Sequence, residues 1–196
     1  MSKGFTPEEK NAITTALIDA FEDELRFQKI NKITVDELVK KVGISKGSFY
    51  NFFPSKEILF FHVVTNIQQK LITEIVSIVN KKQQPNKKKL KLILLLISER
   101  LQNYPWIHEL DGVEFEKVLR KLPQNLKETL ISQDIIDVEN ILEQLHLEST
   151  IPTSRLVVMI QIILFSTIRA KDFGKQYNNA LKTIIDSLVD NFFDEK

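Results

Sequence analysis

Residues 33–59 read ITVDELVKKVGISKGSFYNFFPSKEIL, and this stretch decides the fold. Thr34-Val35-Asp36-Glu37 is a capping box, with a hydroxyl set to accept from the backbone three residues on and a glutamate set to reach back. Val35, Leu38, Val39 and Val42 recur at helical spacing, which predicts a short helix with one apolar face. Gly43 stops it, because the residue after a helix often takes a left-handed conformation that glycine adopts without steric cost. Ser45 can cap a second short helix that carries Phe49 inward. Pro54-Ser55-Lys56-Glu57 then opens a long helix through Ile58, Leu59, Val63, Ile67, Leu71, Ile75 and Val79. Two short helices around a tight glycine turn have the spacing of a helix-turn-helix.

The period divides the side chains of this unit. Phe49 and Phe53, with Val39 and Val42, point inward and fix the angle between the helices. Lys46, Gly47, Ser48, Tyr50, Asn51 and Phe52 remain outward, where the second helix of such a unit enters a major groove. Lys46 and Asn51 can bond base edges, and Gly47 lets DNA approach the backbone. Ser48, Tyr50 and Lys56 suit phosphate, as does the helix start at Thr34. With Ser45 at the head of the second helix, the predicted contact set is Thr34, Ser45, Lys46, Gly47, Ser48, Tyr50, Asn51, Phe52 and Lys56. No carboxylate, which would repel phosphate, occurs from Gly43 to Ser55. The competing reading is a helical corner used only for packing.

Charge distribution favours the nucleic-acid reading where total charge does not. The 196 residues sum to +1. Residues 1–24 carry two basic and six acidic side chains, whereas residues 25–56 carry seven basic and two acidic. That local asymmetry is the electrostatic footprint to follow.

Outward from this segment the pattern is helical throughout. Thr6-Pro7-Glu8-Glu9 reads as a cap, a proline at the first helical position and a capping-box glutamate, opening a helix to about Phe27. Pro85, Pro105, Pro123 and Pro152 fall between apolar-periodic stretches, and Gly174 separates the last two. Leu126 to Leu145 reads as an amphipathic helix. Residues 154–170 are apolar nearly all round, and Tyr177, Leu181, Ile184, Leu188 and Phe192 repeat at spacings of three and four. No segment alternates long enough to predict a strand, so the expected fold is all-α with about nine helices. The last two helices carry more apolar surface than a monomer of this size would cover, which points to a homodimer interface.

Several classes are excluded or disfavoured. There is no Cys, hence no disulfide framework, Cys-ligated metal or Cys nucleophile. His62, His108 and His146 lack metal-ligand spacing, no phosphate or dinucleotide loop is present, and no enzyme motif appears, so neither a metal nor a cofactor is expected. Apolar runs fall short of the roughly 20 residues a membrane span needs. With no apolar leader at the N-terminus, the cytoplasm is the default compartment.

The run Gly43-Ile44-Ser45-Lys46-Gly47-Ser48-Phe49-Tyr50, followed by Phe53-Pro54-Ser55-Lys56-Glu57, resembles the signature of the TetR family of transcriptional regulators. The resemblance covers about the first 60 residues. Many members have a glycine near the end of the first helix, where this chain has Phe27-Gln28-Lys29-Ile30-Asn31-Lys32. What the resemblance implies is a three-helix helix-turn-helix head, residues 1–54, on a larger helical ligand-binding and dimerisation domain, residues 55–196. It implies a homodimer, paired through the last two helices, that binds a palindromic double-stranded DNA operator and is released by a small apolar or aromatic ligand. Tyr104, Trp106, His108, Phe115, Gln161, Phe165 and Arg169 lie on helices that line the family's pocket. The alternative is a DNA-binding protein gated by a protein partner, in a coactivator or chromosome-organisation role.

Overall fold

The computed structural model describes residues 5–104, 113–132 and 138–195. The first helices are α1 (Pro7–Leu25), α2 (Val35–Val42), α3 (Lys46–Phe52), α4 (Lys56–Val79) and α5 (Asn86–Asn103). After them come α6 (Val113–Lys121), α7 (Gln124–Ser132), α8 (Val138–Gln144), α9 (Thr153–Ser166) and α10 (Tyr177–Phe192). A 3-10 segment, Thr167–Gln176, joins the last two. The fold is all-α, with ten α-helices among the described residues where about nine are expected. Contacts group the residues into two units. One holds the chain through Gln68 together with α6 and α7; the other holds residues 69–104 and 138–195.

In the first unit the local signals act as the sequence predicts. Thr6 and Thr34 both form complete capping boxes, with Glu9 and Glu37. Gly43 closes α2 at φ 76°, the left-handed conformation, and its N–H reaches the Val39 carbonyl at 2.9 Å. Helices of eight and seven residues are too short to persist alone. They are held by burial of Leu17, Phe21, Ile33, Leu38, Phe49, Phe53, Leu59, Phe60 and Val63. Phe49 packs on Phe53 and Phe21 on Phe60, each with ring centroids 6.2 Å apart.

The same unit contains an ion pair that no local pattern announces. Lys121, the last residue of α6, donates to the buried carboxylate of Glu57 in the first turn of α4 at 2.8 Å. Burial pushes the Glu57 carboxyl up, but the Lys121 ammonium, the residue's own main-chain N–H and the Ser55 hydroxyl pull harder the other way. It therefore titrates below the ordinary 4.5 of a glutamate.

The second unit is built on α5, α9 and α10. Leu90, Ile93, Leu94 and Ile97 from α5 meet Leu156, Ile160 and Ile163 from α9 and Leu181, Ile185, Leu188 and Val189 from α10. Two ion pairs tie the edges: Lys91 with Asp190 at 2.8 Å, and Arg100 with Glu74, whose two oxygens share one guanidinium nitrogen at 2.8 and 3.0 Å.

The structure departs from expectation at three places. Among the described residues there are two strands, β1 (Leu147–Ser149) and β2 (Phe193–Glu195), paired antiparallel with Leu147 opposite Glu195 and Ser149 opposite Phe193. Three residues are too few to show an alternation. Leu126 to Leu145, read as a single helix, holds α7 up to Ser132 and α8 from Val138 among the described residues, and the two belong to different units. The helix expected through residue 170 stops at Ser166. There the Ser166 and Thr167 hydroxyls bond the carbonyls of Ile163 and Leu164, competing with the main-chain ladder. The 3-10 segment then kinks at Gly174, whose φ of 71° and ψ of −162° are open only to glycine.

A group whose folded pKa is depressed stabilises the fold above its unfolded pKa, and that stability is lost as pH falls through the folded pKa. Glu57→Gln is thus expected to lower the melting temperature at pH 7, with the gap to the parent closing as pH drops below 4.5. Calorimetry at pH 7 and 3.5 checks this; an equal gap at both would mean that packing, not charge, is what Glu57 supplies.

Candidate nucleic-acid interface

The recognition helix is α3, and its position follows from one face. Phe49 is completely buried, which leaves the opposite side turned to solvent. Ser45 caps it, its hydroxyl accepting from the Ser48 N–H at 3.1 Å and lying 2.9 Å from the Ser48 hydroxyl. Lys46, Gly47, Tyr50 and Asn51 are exposed along the outer side, and Ser48 is half-buried. The Tyr50 ring stands edge-on to Phe49 with centroids 5.3 Å apart, which steadies an otherwise free side chain.

Gly47 has an ordinary backbone conformation, and a Cβ there would meet only the Ser45 hydroxyl at 3.9 Å. Neither backbone nor internal packing calls for glycine, so the room it leaves is room on the outer surface. Lys46 bonds Asp36 at 2.8 Å with both side chains exposed, and that hydrogen bond, with the Asp36 charge, pushes its pKa up. Exposed pairs of this kind contribute little, so the ammonium can be drawn to another anion at small cost.

Three predicted contacts are placed differently from expectation. Lys56, expected at phosphate, turns its ammonium inward and donates to the carbonyls of Ile33 at 2.8 Å, Ile30 at 3.0 Å and Asn31 at 3.5 Å. It is a staple between the start of α4 and the loop that precedes α2, and burial lowers its pKa. The start of α2 is not an open anion site either. The Glu37 carboxylate sits over it, accepting from the Thr34 N–H and hydroxyl at 2.9 Å each. Phe52 is half-buried against Phe5, centroids 5.6 Å apart, and so anchors the segment before α1.

Of the residues expected to line a pocket, three turn to solvent. Gln161, Phe165 and Arg169 are all exposed, and Arg169 is ion-paired with Asp172. A stretch apolar on every side conceals which face turns inward; on α9 that face is Leu156, Ile160 and Ile163. Tyr104 is half-buried at the end of α5. Trp106, His108 and the side chain of Phe115 lie outside the described residues. Two polar groups escaped the sequence reading. The Gln68 side chain on α4 is buried, and its Oε1 has no hydrogen-bond partner among the described residues. The Glu57–Lys121 pair joins residues 64 apart in the chain, for which no spacing rule exists.

A capped pair of short helices turned by a glycine, the second with no acid on its outward face, defines a helix-turn-helix. The family model described as "Bacterial regulatory proteins, tetR family" matches residues 28–63, which is that pair and its flanks. Residues 28–63 thus match the helix-turn-helix head of the TetR family. The chain is 28% identical over 107 residues to the nucleoid occlusion factor SlmA of Haemophilus ducreyi, a match over 55% of this chain and 51% of that protein. It is 35% identical over 100 residues to the HTH-type transcriptional regulator YuxN of Bacillus subtilis, covering 50% of this chain and 32% of that one. The chain thus spans about half of SlmA and a third of YuxN. Beyond the head the likeness is one of fold. FadR from Bacillus subtilis, in complex with stearoyl-CoA, superposes with a TM-score of 0.62 at 17% identity, over 89% of this chain and 97% of FadR. Among the described residues, no helix is long and apolar enough to cross a membrane.

Because Lys56 holds main-chain carbonyls, Lys56→Ala is expected to lower the melting temperature, by the equivalent of about 1–2 kcal/mol for hydrogen bonds from a charged group that is partly solvated. It is expected to leave the salt dependence of DNA binding unchanged. A slope reduced by about 1 for each lysine removed, with no loss of stability, would return Lys56 to the phosphate contacts.

Proposed function

We propose that this chain is a homodimeric repressor that binds a palindromic operator through α3 of each copy and is released by a small ligand held in the body of the molecule. The observation that carries the DNA part is the outer side of α3, where Lys46, Gly47, Tyr50 and Asn51 are exposed on a helix locked by Phe49. Lys46 and Asn51 are the base-reading side chains, Tyr50 and Ser48 contact the backbone, and Gly47 admits close approach.

The dimer part rests on α9 and α10. Val158, Ile162 and Phe165 are 51%, 64% and 54% exposed at spacings of four and three, and Ile184 on α10 is 53% exposed. Four large apolar side chains on the last two helices suit a self-complementary face, on which a residue meets its own copy across a two-fold axis. This assigns Phe165 to the partner subunit in place of the ligand. The ligand part is supported by the unpartnered buried Oε1 of Gln68, since a buried polar atom without a bond is costly and a polar ligand group would satisfy it. FadR, with stearoyl-CoA bound, supports an acyl chain as the kind of ligand. The likeness to SlmA, a nucleoid occlusion factor, favours a second reading, a DNA-binding protein in a chromosome-organisation role, gated by a protein partner and without a small-molecule inducer.

The test is binding to duplex DNA from upstream of the chain's own gene, against a random duplex at the same salt. Specific binding that a long-chain acyl-CoA abolishes fits the repressor, whereas specific binding indifferent to any acyl-CoA favours the partner-gated reading. Asn51→Ala is expected to cost about 1–3 kcal/mol on the specific duplex only; an equal loss on random DNA would remove its base-reading role. Ile162→Asp is expected to convert a dimer into a monomer in sedimentation velocity, and a dimer that survives the change would place the interface elsewhere.

A further inference from the structure

We propose that the loop between α1 and α2 is a second phosphate-binding element of the head, acting through Lys29 and Lys32 and separate from the recognition helix. The inference rests on the DNA-binding reading and extends it to residues outside the helix-turn-helix itself. Seven basic side chains lie between Arg26 and Lys56, and the structure sorts them. Arg26 faces Glu22 and Asp23 at 3.8 Å each, Lys41 is paired with Glu24, Lys46 with Asp36, and Lys56 with three carbonyls. Lys29, Lys32 and Lys40 are exposed and have no side-chain partner among the described residues. Two of these three stand on one loop, where the Lys32 N–H closes a turn onto the Lys29 carbonyl at 2.9 Å.

Three further observations make this loop an anion-binding surface. No carboxylate occurs between Leu25 and Val35, and the acids that flank the loop are already engaged. Glu24 is held by Lys41 and Gln28, both of which lower its pKa, and Glu37 is folded over the start of α2. The field over the loop is therefore that of the two free ammonium groups. The loop backbone is fixed, since Lys56 gathers the carbonyls of Ile30, Asn31 and Ile33. A fixed backbone loses less freedom on binding than a loose one. Finally, Lys32 is two residues from Thr34, at most about 7 Å along the chain, where α2 begins. In a helix-turn-helix that first helix crosses the DNA backbone, so a phosphate strand runs past the loop. Such contacts carry no sequence information; they set register and add a salt-dependent share of affinity.

The experiment uses the full chain and compares Lys29→Gln/Lys32→Gln with Lys81→Gln/Lys82→Gln, which removes the same charge from exposed lysines of the second unit. Affinity for the upstream duplex and for a random duplex is measured across salt concentrations. Each lost phosphate contact reduces the slope by about 0.9, so four lysines removed from a dimer reduce it by about 3–4. The expected result is that reduction in the loop variant alone, an unchanged ratio of specific to random affinity, and recovery of the slope in Lys29→Arg/Lys32→Arg. An unchanged slope in the loop variant overturns the proposal, as does an equal reduction in the Lys81/Lys82 control. If the parent protein binds neither duplex, the DNA-binding reading itself falls and takes this inference with it.

Discussion

Everything the head can do depends on the burial of one ring. A seven-residue helix does not hold its own shape in water, so α3 owes its existence to the Ser45 cap at one end and to Phe49, fully buried, in the middle. With Phe49 seated, the helical period leaves Lys46, Gly47, Tyr50 and Asn51 outward without further instruction. Leu38 and Val39 of α2 and Phe53 after α3 are buried in the same layer, and Gly43 supplies the left-handed turn that lets two helices reach it from different directions.

Polar groups around this core divide into those that build and those that remain available. Lys56 and Glu57, adjacent at the start of α4, both build. The first holds the backbone before α2, and the second binds the end of α6 through Lys121. Lys41 and Arg26 are likewise engaged with acids of α1. Sequence counts Lys56, Lys41 and Arg26 as three of seven positive charges in the segment, yet each is already engaged where it stands. The positive field that a nucleic acid would meet is smaller than composition implies and is placed differently along the chain.

What was legible in the sequence was whatever has a local cause. Thr6 with Glu9, Thr34 with Glu37, Gly43 and Pro54 each act on neighbours within four residues, and each marks a boundary that the structure keeps. The inward set of the head followed from period alone. Illegible were the partners that have no side-chain identity or no spacing. The carbonyls that bind Lys56 belong to whichever residues occupy that loop, and Lys121 meets Glu57 from 64 residues away. The helix at α9 failed for a different reason: with Val158, Ile162 and Phe165 on one side and Leu156, Ile160 and Ile163 on the other, hydrophobicity carries no direction. That is how Gln161, Phe165 and Arg169 were expected at a pocket and found on the surface.

The short ribbon of β1 with β2 has a consequence for the order in which this protein assembles. Pairing Leu147 with Glu195 closes a circuit of chain that contains α9, the Gly174 turn and all of α10. Closing a loop that long costs entropy before its contacts repay it, and contacts so distant in sequence form late in folding. During synthesis the ribbon has nothing to pair with until residue 195 has left the ribosome. The head, whose contacts lie mostly within the first 68 residues, can by then already be in place.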